Sequence, residues 1–150
     1  MPISLNPEMM REIIMDHYSS PLHKKTPANP SSFVQIRMDS DSCIDDITIF
    51  LQLENGKVID ACFDGVACTI STASTDILCD LSIGKTYEEV LNILHQYQNM
   101  IYEKPYNPEV LDEAIVFANT HKQAARIKCA TIGCNGIEEL IDKECEHEKK

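Results

Sequence analysis

Three cysteines and one aspartate, far apart along the chain, carry the types and spacings that could do chemistry: Cys43 and Asp45 in DSCID, Cys68 in GVACTIS and Cys129 in RIKCATIG. Three thiolates and a carboxylate suit one tetrahedral ion, and zinc is the common occupant of such a set. Residues two apart in an extended segment point the same way, so Cys43 and Asp45 can face one ion together. Cys68 falls between a predicted strand and a predicted helix, where the positive end of the helix dipole favours a thiolate. Cys129 is expected at the start of the last helix, with Arg126 and Lys128 close by in sequence. A divalent ion held by four anionic groups leaves excess negative charge, which such cations would lessen. The set points to chemistry performed on sulfur.

The elements that must position these residues can be read from pattern and punctuation. Asn6, Pro7 and Glu8 read as an N-cap, a first-turn proline and a favourable first-turn charge. Met10, Ile13, Ile14, His17 and Tyr18 then repeat at helical spacing, to an end near Ser19. SSPLHKKTPANPSS has no apolar period and is a connecting loop holding much of the basic charge. From Phe33 the pattern changes to alternation through FVQIRMDS, DITIFLQL and KVIDACFD, and Asn55-Gly56 gives a strong hairpin signal.

After Cys68, Ile70, Ala73, Ile77 and Leu81 fall on one helical face, with Gly84 as a stop. Thr86 and Glu89 form a capping box for a helix bearing Val90, Leu94, Tyr97 and Ile101. Asn107-Pro108 opens a further amphipathic stretch carrying Val110, Leu111, Ala114, Ile115 and Ala118. The last helix is expected near Cys129, with Gly133 and Gly136 weakening its first turns. A small antiparallel sheet must bury one face, and these apolar stripes can cover it, so the expected class is α+β.

Composition narrows the function. The 150 residues fit one domain spanning 1–150, with residues 1–6 and 142–150 as flexible ends. With 13 basic residues against 24 acidic ones the formal charge is −11, which would repel phosphate backbones and anionic membrane surfaces, so neither nucleic acid nor membrane is an expected partner. MPISLNPEMMREII lacks a secretory signal pattern and no apolar run reaches membrane-spanning length, so the expected compartment is the cytoplasm. In that reducing setting seven irregularly spaced cysteines suggest metal binding or reactive thiols rather than a disulfide framework.

The remaining cysteines read as packing residues: Cys62 on an alternating strand, Cys79 deep in the helix after Cys68, Cys134 more than a turn beyond Cys129, and Cys145 in the charged tail. His17 reads as a packing or hydrogen-bonding residue, while His23, His95, His121 and His147 lack metal-type spacing. Asp45 could instead be a solvated turn residue, and Arg126 and Lys128 could be ordinary surface cations.

IIMDHYSSP, GVACTISTAS and RIKCATIG, in this order and at these separations, resemble the SufU-type sulfur-transfer proteins of the NifU/IscU iron-sulfur assembly family, over about Arg11 to Leu140. The long stretch between Cys68 and Cys129, and Lys128 where IscU scaffolds carry histidine, resemble the SufU type. The resemblance implies an N-terminal helix and a three-stranded antiparallel sheet packed by further helices. It implies Cys43, Asp45, Cys68 and Cys129 as zinc ligands, and Cys43 as acceptor of persulfide sulfur from a SufS-type, PLP-dependent cysteine desulfurase. Arg126 matches a family arginine near that site, and a downstream iron-sulfur scaffold would take the sulfur on. For delivery, the desulfurase would supply a competing zinc ligand and so release Cys43.

The first ligand motif departs from the family pattern: Ile44 stands where the family has glycine and Asp41-Ser42 where it usually has Asn-Pro, so the local turn must differ and Asp46 or Asp41 could supply the oxygen instead of Asp45. Three functions follow as alternatives: a zinc-dependent sulfurtransferase, a scaffold on which a transient iron-sulfur cluster is built, or an adaptor with structural zinc. Thiolates serve zinc and iron-sulfur clusters alike, so ligand type does not separate the first two.

Overall fold

The computed structural model describes residues 6–39, 44–120 and 124–148. Helix α1 (Pro7–Ser19) begins as its first residues dictate, with the Met9 N–H donating to the Asn6 side chain at 2.8 Å. Three strands follow, β1 (Val34–Asp39), β2 (Asp46–Glu54) and β3 (Lys57–Val66), paired antiparallel in the order β1-β2-β3. Asn55 and Gly56 take positive φ values of 53° and 76°, as a two-residue hairpin requires, and Glu54 pairs with Lys57 across it. The architecture is α+β, as the alternation and the helical stripes predict.

Helices α2 (Thr69–Ser82), α3 (Tyr87–Ile101) and α4 (Ala124–Glu148) complete the structure. Thr86 and Glu89 form the expected capping box at the start of α3. α2 packs against α1, β3 and α4, and its burial runs round most of its circumference rather than along the single face its apolar residues suggest. Ser71, Thr72, Ser74, Thr75, Asp76 and Ser82 are all buried. Two of the serines find acceptors in the helix itself, Ser82 donating to the Leu78 carbonyl at 2.7 Å and Ser74 to the Ser71 carbonyl at 3.3 Å.

Two expectations are corrected. The stretch opened by Asn107-Pro108 is a pair of 3-10 turns, Pro108–Val110 and Asp112–Phe117, separated at Leu111. Asp112 has φ 45°, which an α-helix cannot accept, and Leu111, Ala114 and Phe117 are buried three residues apart, with Val116 buried beside them. The final helix starts by Ala124, not near Cys129, so Cys129 lies in its second turn and away from the helix start. Gly133 and Gly136 are therefore interior. A methyl group at Gly133 would overlap the Thr75 side chain on α2, and one at Gly136 would overlap Ile49 on β2, so both glycines serve close approach.

The acidic tail from residue 142 continues as helix to Glu148. Among the described residues no helix is long and apolar enough to cross a membrane.

Candidate metal centre

Strand register brings the first two candidate ligands together. Asp46, the first residue of β2, pairs with Val66, the last of β3, so Asp45 and Cys68 leave the same end of adjacent strands. Gly65 has φ 125°, and a side chain there would collide with the Asp46 carbonyl, so this glycine lets the two strand ends close up. The Cys68 N–H donates to Asp45 Oδ1 at 2.9 Å, and the Ser71 hydroxyl donates to Asp45 Oδ2. Cys68 is itself the N-cap of α2: its Sγ accepts from the Ser71 N–H at 3.5 Å and lies 3.3 Å from the Ser71 hydroxyl.

The third group arrives from α4. The Tyr97 hydroxyl on α3 donates to the Ala130 carbonyl at 2.7 Å, and Tyr97 packs edge-to-face on Phe117 with ring centroids 6.2 Å apart. This pins the turn of α4 that carries Cys129. One Asp45 carboxylate oxygen, Cys68 Sγ and Cys129 Sγ then all lie within 4.8 Å of one another. Ligand atoms on one tetrahedral zinc stand roughly 3.5–3.8 Å apart by the usual bond lengths, so small side-chain rotations close the set onto an ion. Asp45 is 2% exposed, yet its oxygens receive one backbone N–H and one hydroxyl and no cation among the described residues. A buried carboxylate beside two thiols is costly unless a cation joins it. The donor chemistry and the burial both fit zinc.

The sequence alternatives separate here. Asp46 turns away to Arg37, whose Nε and Nη2 donate to its two oxygens at 2.8 and 2.7 Å, and the guanidinium holds that carboxyl below its usual range. Asp46 is thus outside the cluster, and Ile44 stands beside Asp45 with 65% of its surface exposed. Cys43 and Asp41 lie outside the described residues. Arg126 and Lys128 are exposed on the first turns of α4. Arg126 precedes Cys129 by three residues, placing both on one side of the helix.

Cys62, Cys79 and Cys134 are fully buried away from the cluster. Burial pushes the Cys62 thiol up to about 11 and the Cys134 thiol up to about 12, and it raises the Cys79 thiol well above its ordinary value, so these remain neutral packing thiols.

Residue-by-residue reading of the sequence passed over Ser71 and Asp76. Ser71 was signalled by its place three residues after a helix-capping cysteine, where its N–H and hydroxyl both face the cap. Asp76 was signalled as the first charge in the run TISTASTD. Its buried carboxylate accepts from His17 Nδ1 at 2.6 Å and from the backbone N–H groups of Leu22 and His23 at 3.1 and 2.8 Å. His17 Nε2 stands 3.4 Å from both oxygens of Glu113. Burial opposes the imidazolium, but the Asp76 hydrogen bond and the two carboxylates outweigh it and raise the His17 pKa. His17 is a hydrogen-bonding core residue, as its setting on α1 suggests.

Residues 9–133 match the NifU-like N-terminal domain family. The chain belongs to that family. It is 32% identical over 137 residues to the zinc-dependent sulfurtransferase SufU of Bacillus subtilis (strain 168), covering 91% of each chain. It is also 32% identical over 133 residues to the iron-sulfur cluster assembly scaffold protein IscU of Streptococcus pyogenes serotype M1, covering 87% of this chain and 81% of that one. Among solved structures it resembles a putative iron-sulfur cluster assembly scaffold protein for the SUF system from Fervidobacterium islandicum AW-1. That likeness has a TM-score of 0.79 and 28% identity, and covers 89% of this chain and 97% of the other. The fold expected from the SufU/IscU resemblance is the fold observed.

Proposed function

We propose that this chain is a cytoplasmic iron-sulfur cluster assembly protein that binds zinc and accepts persulfide sulfur from a PLP-dependent cysteine desulfurase of the SufS type, passing it to a downstream scaffold. The observation that carries this reading is the convergence of Asp45, Cys68 and Cys129 from three separate elements around one buried point. Cys43 is the fourth ligand in this proposal and the sulfur acceptor. The bound ion would hold the cysteines as thiolates at neutral pH. Asp45 completes the donor set, and Ser71 and the Cys68 N–H orient its carboxylate. The Cys43 thiolate attacks the terminal sulfur of the desulfurase persulfide, forming a new S–S bond. The S–S bond in the donor breaks, and its cysteine leaves as a thiolate. Arg126 lies near enough in sequence and on α4 to Cys129 to offset negative charge at that step.

Alanine release by the cognate desulfurase tests the assignment: the chain raises turnover, and Cys43→Ala abolishes the rise. Undiminished stimulation by Cys43→Ala overturns it. The likeness to the Streptococcus pyogenes scaffold supports a second reading, in which the same ligands hold a transient iron-sulfur cluster. Tight colourless zinc supports sulfur transfer, whereas a stable brown cluster after anaerobic reconstitution supports scaffolding.

A further inference from the structure

The chain contains three arginines, Arg11, Arg37 and Arg126. Arg37 is tied to Asp46. The other two line one cleft of about 260 Å³ together with Met10 and Ile14 of α1, Ile70 at the start of α2, and Val116. Among the described residues neither Arg11 nor Arg126 has an ion-pair partner, although the chain carries 24 acidic residues, and no acidic residue lines the cleft. Two cleft residues sit on the helices that carry the candidate ligands: Ile70 is two residues beyond Cys68, and Arg126 is about one turn from Cys129.

Two guanidinium groups beside an apolar wall match a carboxylate carried next to an apolar side chain. Guanidinium binds carboxylate through a planar fork, and the apolar wall takes the neighbouring residue out of water. The formal charge of −11 repels other acidic surfaces from most of this molecule, so an acidic segment has this cleft as a favourable landing place. We infer that the Arg11–Arg126 cleft docks a peptide segment of the sulfur donor in which an acidic residue adjoins an apolar one, steering that protein onto the metal centre. This rests on the function proposed above and adds the chemistry by which the partner is recognised.

The test uses the zinc-loaded chain with the cognate desulfurase, varying the chain's concentration in the alanine-release assay. Arg11→Glu raises the concentration for half-maximal stimulation at least tenfold, Arg11→Lys raises it less, and Lys143→Glu on the far part of α4 moves it less than twofold. A half-maximal concentration for Arg11→Glu within twofold of the parent overturns the inference, as does an equal effect of Lys143→Glu.

If the parent gives no stimulation, the functional proposal fails, and the cleft is judged separately by amide chemical shifts. The peptide acetyl-Leu-Glu-Leu-amide shifts the Met10, Arg11, Ile14, Ile70 and Val116 signals, and its glutamine counterpart does so at least fivefold more weakly. Equal shifts, or none, overturn the cleft as an acidic-peptide site. Acetate or phosphate reproducing the shifts at equal concentration assigns it to small anions and overturns the inference. So do shifts that grow with protein concentration alone, which assign it to a second copy, and shifts on deleting residues 1–5, which assign it to the chain's own first residues.

Discussion

Asp45 and Asp76 are both carboxylates withdrawn from water, 2% and 0% exposed, one against the start of α2 and the other within it, yet the molecule satisfies them in opposite ways. Asp76 is answered from within: an imidazole and two backbone N–H groups converge on it, and Glu113 adds to the field that raises the His17 pKa. Asp45 has one N–H and one hydroxyl, and it faces two sulfurs. The first arrangement is a closed ion pair that ties α1 and the following loop to α2. The second has no cation beside its carboxylate among the described residues, and two sulfurs stand next to it instead. Burial of a carboxylate is therefore poor evidence of a site by itself. What its neighbours can donate decides the matter.

That contrast can be broken most directly at the open centre. Cys68→Ala should lose the bound zinc in a chelator competition that the parent survives, because a three-ligand remnant no longer holds the ion. Retention of a full equivalent would show that Cys68 is no ligand. At the closed centre, Asp76→Ala leaves His17 buried without its main partner and strips two backbone N–H groups of their acceptor. The expected loss is about 3–5 kcal/mol in urea unfolding, with zinc content unchanged. A loss below about 1 kcal/mol, the scale of an exposed pair, would mean that the cluster is not the internal lock described here.

Ser71→Ala sharpens the comparison by removing the hydroxyl from Asp45 while leaving every ligand in place. Zinc affinity should fall about 10–100-fold, the usual effect of an outer-shell partner, measured by competition with a coloured chelator. An unchanged affinity would show that the Asp45 carboxylate is oriented by the ion alone.

The smallest expected effect is in pH. The folded-state pKa of His17 is raised above its ordinary value of 6.5, so its contribution to stability is complete below about that pH and is lost as pH rises through the raised value. The stability difference between the parent and His17→Gln should therefore be larger at acid than at alkaline pH. A constant difference would show that His17 is neutral in the fold.

The legible parts of the chain are those in which neighbours in sequence are neighbours in space. Asn6 capping α1, the Thr86–Glu89 box and the Asn55-Gly56 hairpin all depend on groups within four residues, and each forms as local chemistry predicts. The errors arose where distant packing overrode a local signal. Gly133 and Gly136 read as weak helix starters, but the need for α4 to lie close on Thr75 and Ile49 places them inside a long helix. α2 shows one apolar stripe, yet its small hydroxyl residues let it be covered nearly all round. Ile44 left the oxygen donor open between Asp45, Asp46 and Asp41; the bidentate hold of Arg37 takes Asp46 out of the cluster through a cross-strand contact that spacing alone does not reveal, and Asp41 lies outside the described residues.

By itself, then, the order of residues determined the elements, their caps and turns, and which side chains could bind a soft divalent ion, because those depend on backbone preference and on the chemistry of single groups. Only the tertiary structure decided which of the six described cysteines share a point with a carboxylate and which are sealed as neutral thiols. Only it showed that Asp76 is answered by His17 and that two of the three arginines face one cleft. Charge balance among groups dozens of residues apart depends on distances and on exclusion of water, and neither exists until the chain has folded.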